Sequence, residues 1–153
     1  MKKNKIFNLL FNVFTPLLLG MIISFMYRDN FSFVENLNRN IKVPTIVFPI
    51  VWSILYLLLG VFYHFLDKDY KEDKLKNIYW ISLFVNLMFT PILFGINSLI
   101  LASIDVVLLL IFVLYMFVVV LKRKKLYGYF LLPYLVWLCI ALTLMIDLLI
   151  SNF

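Results

Sequence analysis

Long apolar runs alternate with short polar segments along this chain. The hydrocarbon core of a bilayer is about 30 Å thick, so a helix needs about 20 apolar residues to cross it. The runs with few charges are Ile6 to Tyr27, Val43 to Leu66, Asn77 to Leu121 broken only by Asp105, and Leu126 to Phe153 broken only by Asp147. The third run is 45 residues long, enough for two crossings. Gly95, Asn97 and Ser98 supply a turn between them.

This division predicts an all-α integral membrane protein, a bundle of five transmembrane helices. We place the helices at about residues 6–27, 44–66, 77–95, 98–121 and 127–150. One compact domain over residues 1–153 is expected. The loop from Arg28 to Lys42, called the first loop below, is the longest connection on its side, and it alone could act as a lid.

Composition supports the membrane assignment and excludes several function classes. Hydrophobic residues make up 65% of the chain and charged residues 14%, with a mean hydropathy of +1.03. A soluble domain has roughly a quarter charged residues, so this chain cannot supply a polar shell. The single Cys139 excludes a disulfide framework, and with His64 as the only histidine it cannot furnish a dedicated zinc site. We therefore expect no metal site and no obligatory cofactor.

The excess of basic residues is interpreted as a topology signal and not as a nucleic-acid-binding surface. Cytoplasmic loops of membrane proteins carry the excess of Lys and Arg. With five spans, three basic residues fall on the side of the first loop: Arg28, Arg39 and Lys42. The other side has eleven: Lys2, Lys3, Lys5, Lys68, Lys71, Lys74, Lys76, Lys122, Arg123, Lys124 and Lys125. The distribution predicts a cytoplasmic N-terminus and a C-terminus outside.

Polar and small residues within each span recur at helical spacing, and such residues face the interior of a membrane bundle. Along the five spans in turn they are Asn8, Asn12 and Thr15; Pro49, Trp52, Ser53, Tyr56, Gly60 and Tyr63; Tyr79, Ser82, Asn86 and Thr90; Ser98, Ala102 and Asp105; and Pro133, Trp137 and Ala141. Helix packing alone would also explain these stripes.

Two tryptophans are unusual because they lie deep inside their spans. Trp52 follows Lys42 by ten residues and Trp137 follows Lys125 by twelve, so each lies roughly 15 to 18 Å deep at 1.5 Å per residue. Tryptophan normally sits at the membrane surface. Buried indoles make flat walls suited to a planar ligand, each with an N–H that needs an acceptor. Filling of the core is the alternative explanation.

Asp105 and Asp147 are the only charged residues inside spans, both towards the side of the first loop. An intramembrane carboxylate is a functional-site hypothesis, for example a proton relay. Alternatively, each is wet at the surface or pairs with a cation of the first loop. His64, near the end of its span, is interpreted as a surface residue. The chain has no nucleophile elbow, Gly-rich phosphate loop or pair of catalytic carboxylates, so an enzyme is not favoured.

Two helices carry motifs that resemble a known family. The segment Val47-Phe48-Pro49-Ile50-Val51-Trp52-Ser53-Ile54-Leu55-Tyr56, with Pro44 before and Gly60 after, is similar to the second-helix signature of the translocator protein family. This family is also called tryptophan-rich sensory protein or peripheral-type benzodiazepine receptor. Leu131-Leu132-Pro133-Tyr134-Leu135-Val136-Trp137, followed by Ala141 and Asn152, resembles its fifth helix. Asn86, Ala102 and Asp105 are weaker matches.

The resemblance implies a cell-membrane protein whose pocket beneath the first loop binds porphyrins, such as protoporphyrin IX and haem, and related hydrophobic ligands. The implied role is tetrapyrrole transport or sensing. A homodimer is also implied. By position, the ligand-binding residues would be Pro49, Trp52, Tyr56, Asn86, Phe89, Trp137 and Ala141. Arg28, Arg39 and Lys42 would be candidates to meet a porphyrin's propionates, although lipid phosphates attract such cations equally.

The membrane implied by the resemblance is the bacterial cell membrane. The chain departs from the family pattern at several positions. Val43 stands where members often have a second proline, Ile46 and Phe89 where they have tryptophans, and Met145 where an asparagine is expected. The tyrosine and arginine of the animal sterol-recognition stretch are missing, so the resemblance gives no support for sterol binding by that stretch. Two other functions stay open. One is an enzyme that degrades porphyrin with Trp52 or Trp137, and the other is a small proton-coupled transporter or structural subunit that uses Asp105 and Asp147.

Overall fold

The computed structural model describes the backbone of residues 2–69 and 73–153 and the side chains of residues 5–69 and 74–153. Within these ranges every regular element is helical. The elements are α1 (Lys2–Met26), a 3-10 turn (Arg28–Asn30), α2 (Ser32–Glu35), α3 (Val47–Asp69), α4 (Asp73–Thr90), a π turn (Pro91–Gly95), α5 (Leu99–Lys122), a 3-10 segment (Leu126–Leu131) and α6 (Leu132–Asn152).

Five helical stretches of the described chain are long and apolar enough to cross a membrane. They are Lys5–Met26, Val47–Asp69, Lys74–Gly95, Leu99–Lys122 and Leu126–Asn152. The prediction of an all-α integral membrane protein with five spans is therefore confirmed. The second span begins at Val47, three residues after the predicted start, because the chain first makes a turn in which the Val47 N–H donates to the Pro44 carbonyl at 3.0 Å.

The turn between the third and fourth spans has a clear local cause. Pro91 lacks an N–H and cannot continue the α-helical hydrogen bonding of α4, so the helix widens into one π turn that closes with Ile96 N–H on the Pro91 carbonyl at 3.0 Å. Asn97 then adopts a positive φ of 58°. The Ser98 side chain caps α5 by accepting the Leu101 N–H at 3.3 Å.

The helices pack as a bundle in which α1 lies against α3, and α5 lies between α4 and α6. One buried apolar cluster fills the half of the bundle away from the first loop, with Phe62, Leu66, Val113 and Leu131 among its members. A smaller cluster around Ala102 lies beneath the first loop. The end of the bundle that carries the first loop is called the loop end below.

Several expectations about exposure are wrong. Asn8 and Pro133, expected inside the bundle, are exposed, and Pro49 is also exposed although it lines the cavity described below. Asn8 lies near the start of α1, which packs mainly on α3 and so buries only a narrow stripe, and Pro133 lies in the first turn of α6. His64, expected at the surface, is only 5% exposed. It lies one turn from Gly60, on the face of α3 that α1 covers.

Ion pairs tie the helices together at the end opposite the first loop. Lys76 pairs with Asp67 at 2.8 Å, and Lys125 pairs with Asp69 at 2.9 Å. Both pairs join the end of α3 to a neighbouring segment. Lys2, Lys3 and Lys71, which contribute to the charge distribution, lie outside the described side chains. The orientation of the chain in the membrane stays a prediction.

Candidate functional site

A cavity of about 320 Å³ lies beneath the first loop, between the two apolar clusters. Helices α3, α4, α5 and α6 form its walls, and the first loop covers it. The seven residues proposed as ligand-binding from the sequence all line this one space: Pro49, Trp52, Tyr56, Asn86, Phe89, Trp137 and Ala141. The structure thus brings together residues from three helices, and their role in binding stays a prediction.

Aromatic rings on α3 and α6 form the largest flat surfaces of the cavity. The centroid of the Trp52 ring lies 5.7 Å from that of Tyr56 and 6.2 Å from that of Tyr134. Across the cavity, the Trp137 ring meets Phe48 edge to face at 6.0 Å. Edge-to-face and tilted arrangements at these distances are favourable. The two indoles are therefore held in defined orientations before any ligand binds.

A hydrogen-bonded chain of three side chains crosses the bundle at the cavity. The Tyr56 hydroxyl donates to Asn86 Oδ1 at 2.6 Å, and Asn86 Nδ2 donates to the Tyr134 hydroxyl. Asn86 is 3% exposed and Tyr134 is 1% exposed, so these groups have little access to water. Each bond satisfies polar atoms that would be costly to bury alone. The chain links α3, α4 and α6.

The indole N–H of Trp137 is buried and makes no hydrogen bond within the described chain. Its side chain is 8% exposed, and Nε1 is buried without a hydrogen-bond partner among the described residues. A buried donor without a partner costs about 1 to 3 kcal/mol.

The three cations proposed to meet propionates have different positions. Arg39 lines the cavity, and its guanidinium donates to the Glu35 carbonyl at 3.3 Å. Arg28 instead pairs with Asp29 at 3.5 Å and lies over the Phe25 ring at 4.6 Å from its centroid. Lys42 is exposed and is not among the cavity-lining residues. Within the described chain, Arg39 alone brings a lysine or arginine side chain to this cavity.

The two intramembrane carboxylates also differ. Asp147 accepts the backbone N–H of Asn40 at 2.9 Å, the backbone N–H of Ile41 at 3.0 Å and the Asn40 side-chain amide at 3.1 Å. It therefore binds the first loop itself and not one of its cations. Asp105 is 6% exposed, and its Oδ2 has no hydrogen-bond partner in the described structure. The explanation of Asp105 as a wet surface group is wrong.

Several cavity-lining residues have no counterpart in the sequence-based set. The first loop contributes Phe31, Val34 and Glu35, and the π turn contributes Phe94. Phe31 packs against Phe94 with ring centroids 4.7 Å apart, and Asn30 Nδ2 donates to the Phe94 carbonyl at 3.0 Å. These contacts join segments more than sixty residues apart, so local periodicity carried no signal for them. No metal-binding group of three or more His, Cys, Asp or Glu occurs among the described residues.

Comparison with known proteins identifies similar sequences. A sequence model of the TspO/MBR family matches residues 12–150. The tryptophan-rich protein TspO of Chlorobaculum tepidum is 29% identical over 102 residues, which are 64% of this chain and 65% of that protein. Protein CrtK of Rhodobacter capsulatus is also 29% identical over 102 residues, 64% of each chain. The match thus spans just under two thirds of the length of these relatives.

Proposed function

This chain belongs to the TspO/MBR family, and we propose that it binds porphyrins and related flat, hydrophobic ligands in the cavity beneath its first loop, for the transport or sensing of tetrapyrroles. Family membership and the apolar, aromatic character of the cavity support this proposal. The residues expected to contact the ligand are those of the cavity wall: Pro49, Trp52, Tyr56, Asn86, Phe89, Trp137 and Ala141.

The size and the walls of the cavity suit a planar ligand. Its volume of about 320 Å³ lies at the lower end of the range of about 300 to 1,000 Å³ for small-molecule sites. A tetrapyrrole would fill such a space, and its charged edge would then extend to the mouth. The rings of Trp52 and Trp137 offer the apolar faces that would cover the macrocycle.

The single observation that carries the proposal is the convergence of two indole rings on one cavity. Trp52 of α3 and Trp137 of α6 both line the space beneath the first loop. Two such rings offer flat, apolar walls. A tetrapyrrole macrocycle, which is flat and largely apolar, would be buried against them.

The two other functions have less support from the geometry. A proton relay through both carboxylates is disfavoured because three N–H donors occupy Asp147, while Asp105 is not among the cavity-lining residues. Degradation of a bound porphyrin would use Trp52 or Trp137 as redox partners, since tryptophan is neither an acid, a base nor an ordinary nucleophile. Illumination of the protein with protoporphyrin would distinguish degradation from binding by loss of the pigment's absorption.

The proposal is tested by titrating protoporphyrin into the wild type, Trp52→Phe and Trp137→Phe in one detergent, with tryptophan quenching and Soret absorption as readouts. Loss of one indole face should weaken binding roughly tenfold to a hundredfold, the equivalent of about 1 to 3 kcal/mol of apolar burial.

Trp80 provides a matched control for these two substitutions. It is 41% exposed, does not line the cavity, and donates its N–H to the Tyr63 hydroxyl at 3.1 Å. Trp80→Phe should leave protoporphyrin affinity unchanged. Equal affinities for the wild type and both cavity variants would contradict the assignment of this cavity as the porphyrin site.

A further inference from the structure

The last part of the first loop is fastened to the end of α6 at two neighbouring points. Asn152 accepts the Asn38 N–H at 3.0 Å through Oδ1, and its Nδ2 donates to the Asn38 carbonyl at 2.8 Å. Asp147 accepts three N–H groups of Asn40 and Ile41, and Asn40 also donates to the Ser151 hydroxyl at 3.0 Å. These contacts are called the α6 clamp below.

The α6 clamp holds the residues on both sides of Arg39. Asn38 precedes Arg39 and is bound by Asn152, while Asn40 follows it and is bound by Asp147. The backbone of Arg39 is therefore fixed from both directions, and its guanidinium is further held by the Glu35 carbonyl at 3.3 Å. Holding a long, flexible side chain in one place removes the entropic cost of ordering it when a ligand binds.

We propose that the α6 clamp positions Arg39 to recognise the carboxylate edge of the ligand, so that this cavity selects flat apolar ligands that carry a carboxylate. The inference rests on the proposed function and specifies the chemistry of its ligand. Asp147 and Asn152 act as positioning residues, and Arg39 makes the contact. A guanidinium binds a carboxylate through two parallel hydrogen bonds, which makes its placement important.

The charge of Asp147 makes the proposal sharply testable. Asp147 lines the cavity with Arg39, so by Coulomb attraction and repulsion alone its removal should strengthen the binding of an anionic ligand. The positioning role predicts the opposite, because without Asp147 the loop would no longer hold Arg39 in place. Asn152 is a second, independent test, since it is uncharged and does not line the cavity.

The experiment compares protoporphyrin IX, a dicarboxylate, with its dimethyl ester, which has the same ring but no charge. The wild type should bind the dicarboxylate about tenfold more tightly than the ester, the scale of one charge-assisted contact at a partly exposed site. This preference should disappear in Arg39→Gln and fall strongly in Asp147→Ala and Asn152→Ala. Affinity for the ester should change much less than affinity for the dicarboxylate in each variant, because the ester has no carboxylate for Arg39 to bind.

Lys42→Gln is the comparison for charge, because it removes one positive charge from the first loop without changing the cavity wall. It should retain the preference for the dicarboxylate. The inference is overturned if the wild type binds both compounds equally, if Asp147→Ala increases the preference, or if Lys42→Gln reduces it as much as Arg39→Gln. If neither compound binds the wild type, the proposed function fails and the inference fails with it.

Discussion

At the residue scale, Asn86 is the polar centre of the bundle. Its side-chain amide joins the hydroxyl of Tyr56 on α3 to that of Tyr134 on α6, so one residue satisfies polar groups on two neighbouring helices. The alternative partners for these hydroxyls are few inside an apolar bundle. We therefore expect the Asn86 side chain to stabilise the folded bundle as well as to contact the ligand.

Replacing Asn86 by leucine should destabilise the protein. The substitution leaves the hydroxyls of Tyr56 and Tyr134 without their partner, at a cost of about 1 to 3 kcal/mol. Thermal unfolding in mild detergent, followed by circular dichroism, would measure this as a lower midpoint. Ser82→Ala is the matched control: Ser82 is also 3% exposed, but its hydroxyl bonds only to the Tyr79 carbonyl of its own helix, at 2.8 Å. An equal loss in both variants would contradict the role of Asn86.

At the element scale, the close packing of α1 against α3 depends on Gly60. A Cβ at this position would collide with backbone atoms of Asn12 and Val13 in α1. Small residues allow helix backbones to approach closely in membranes. Gly60 thus allows close packing of two helices of the same chain. The property that matters at this position is the absence of a side chain.

Gly60→Ala should force α1 away from α3, because a backbone atom cannot rotate aside as a side chain can. Overpacking of this kind costs about 1 to 3 kcal/mol. Unfolding by titration with sodium dodecyl sulfate would show the loss as a lower midpoint. Gly128→Ala is the comparison, since its Cβ would meet only side-chain atoms of Leu121 and Val120 at 3.1 Å. A smaller loss for Gly60→Ala than for Gly128→Ala would disprove the explanation.

At the scale of the whole molecule, orientation follows from the distribution of basic residues. With eleven on one side and three on the other, the N-terminus should be cytoplasmic and the C-terminus outside. A cysteine added after Phe153 should then react with a membrane-impermeant thiol reagent on intact cells. The background should carry Cys139→Ser, because Cys139 is exposed in the described structure. Reaction only after permeabilisation would show that the C-terminus is cytoplasmic and that the predicted orientation is wrong.

The number of chains in the assembled protein is a second property of the whole molecule. The resemblance implies a homodimer, although the four glycines never stand four apart, so no glycine-pair motif accounts for one. Mass measurement in mild detergent should return two chains. A mass of one chain throughout a dilution series would rule out a stable dimer under those conditions.

The amino-acid sequence by itself determined the class of protein, the five spans and part of the set of residues around the cavity. Span number depends on the length of apolar runs and the position of charges, which are local properties. The polar stripes identified Trp52, Tyr56, Asn86 and Trp137, because helical spacing alone places such residues on one face. Asn8 and Pro133 were misplaced for the same reason, since spacing does not say which helices pack on that face.

Only the tertiary structure decided how the loop end is assembled. Asn38 and Asn152 are 114 residues apart, and Ile41 and Asp147 are 106 apart. Such contacts depend on how the helices pack and on where the first loop crosses them, and no local pattern encodes either. The same packing placed Arg39 at the cavity, left Arg28 on Asp29 and buried His64. The physical reason is that burial and pairing are properties of neighbours in space, whereas periodicity reports only neighbours along the chain.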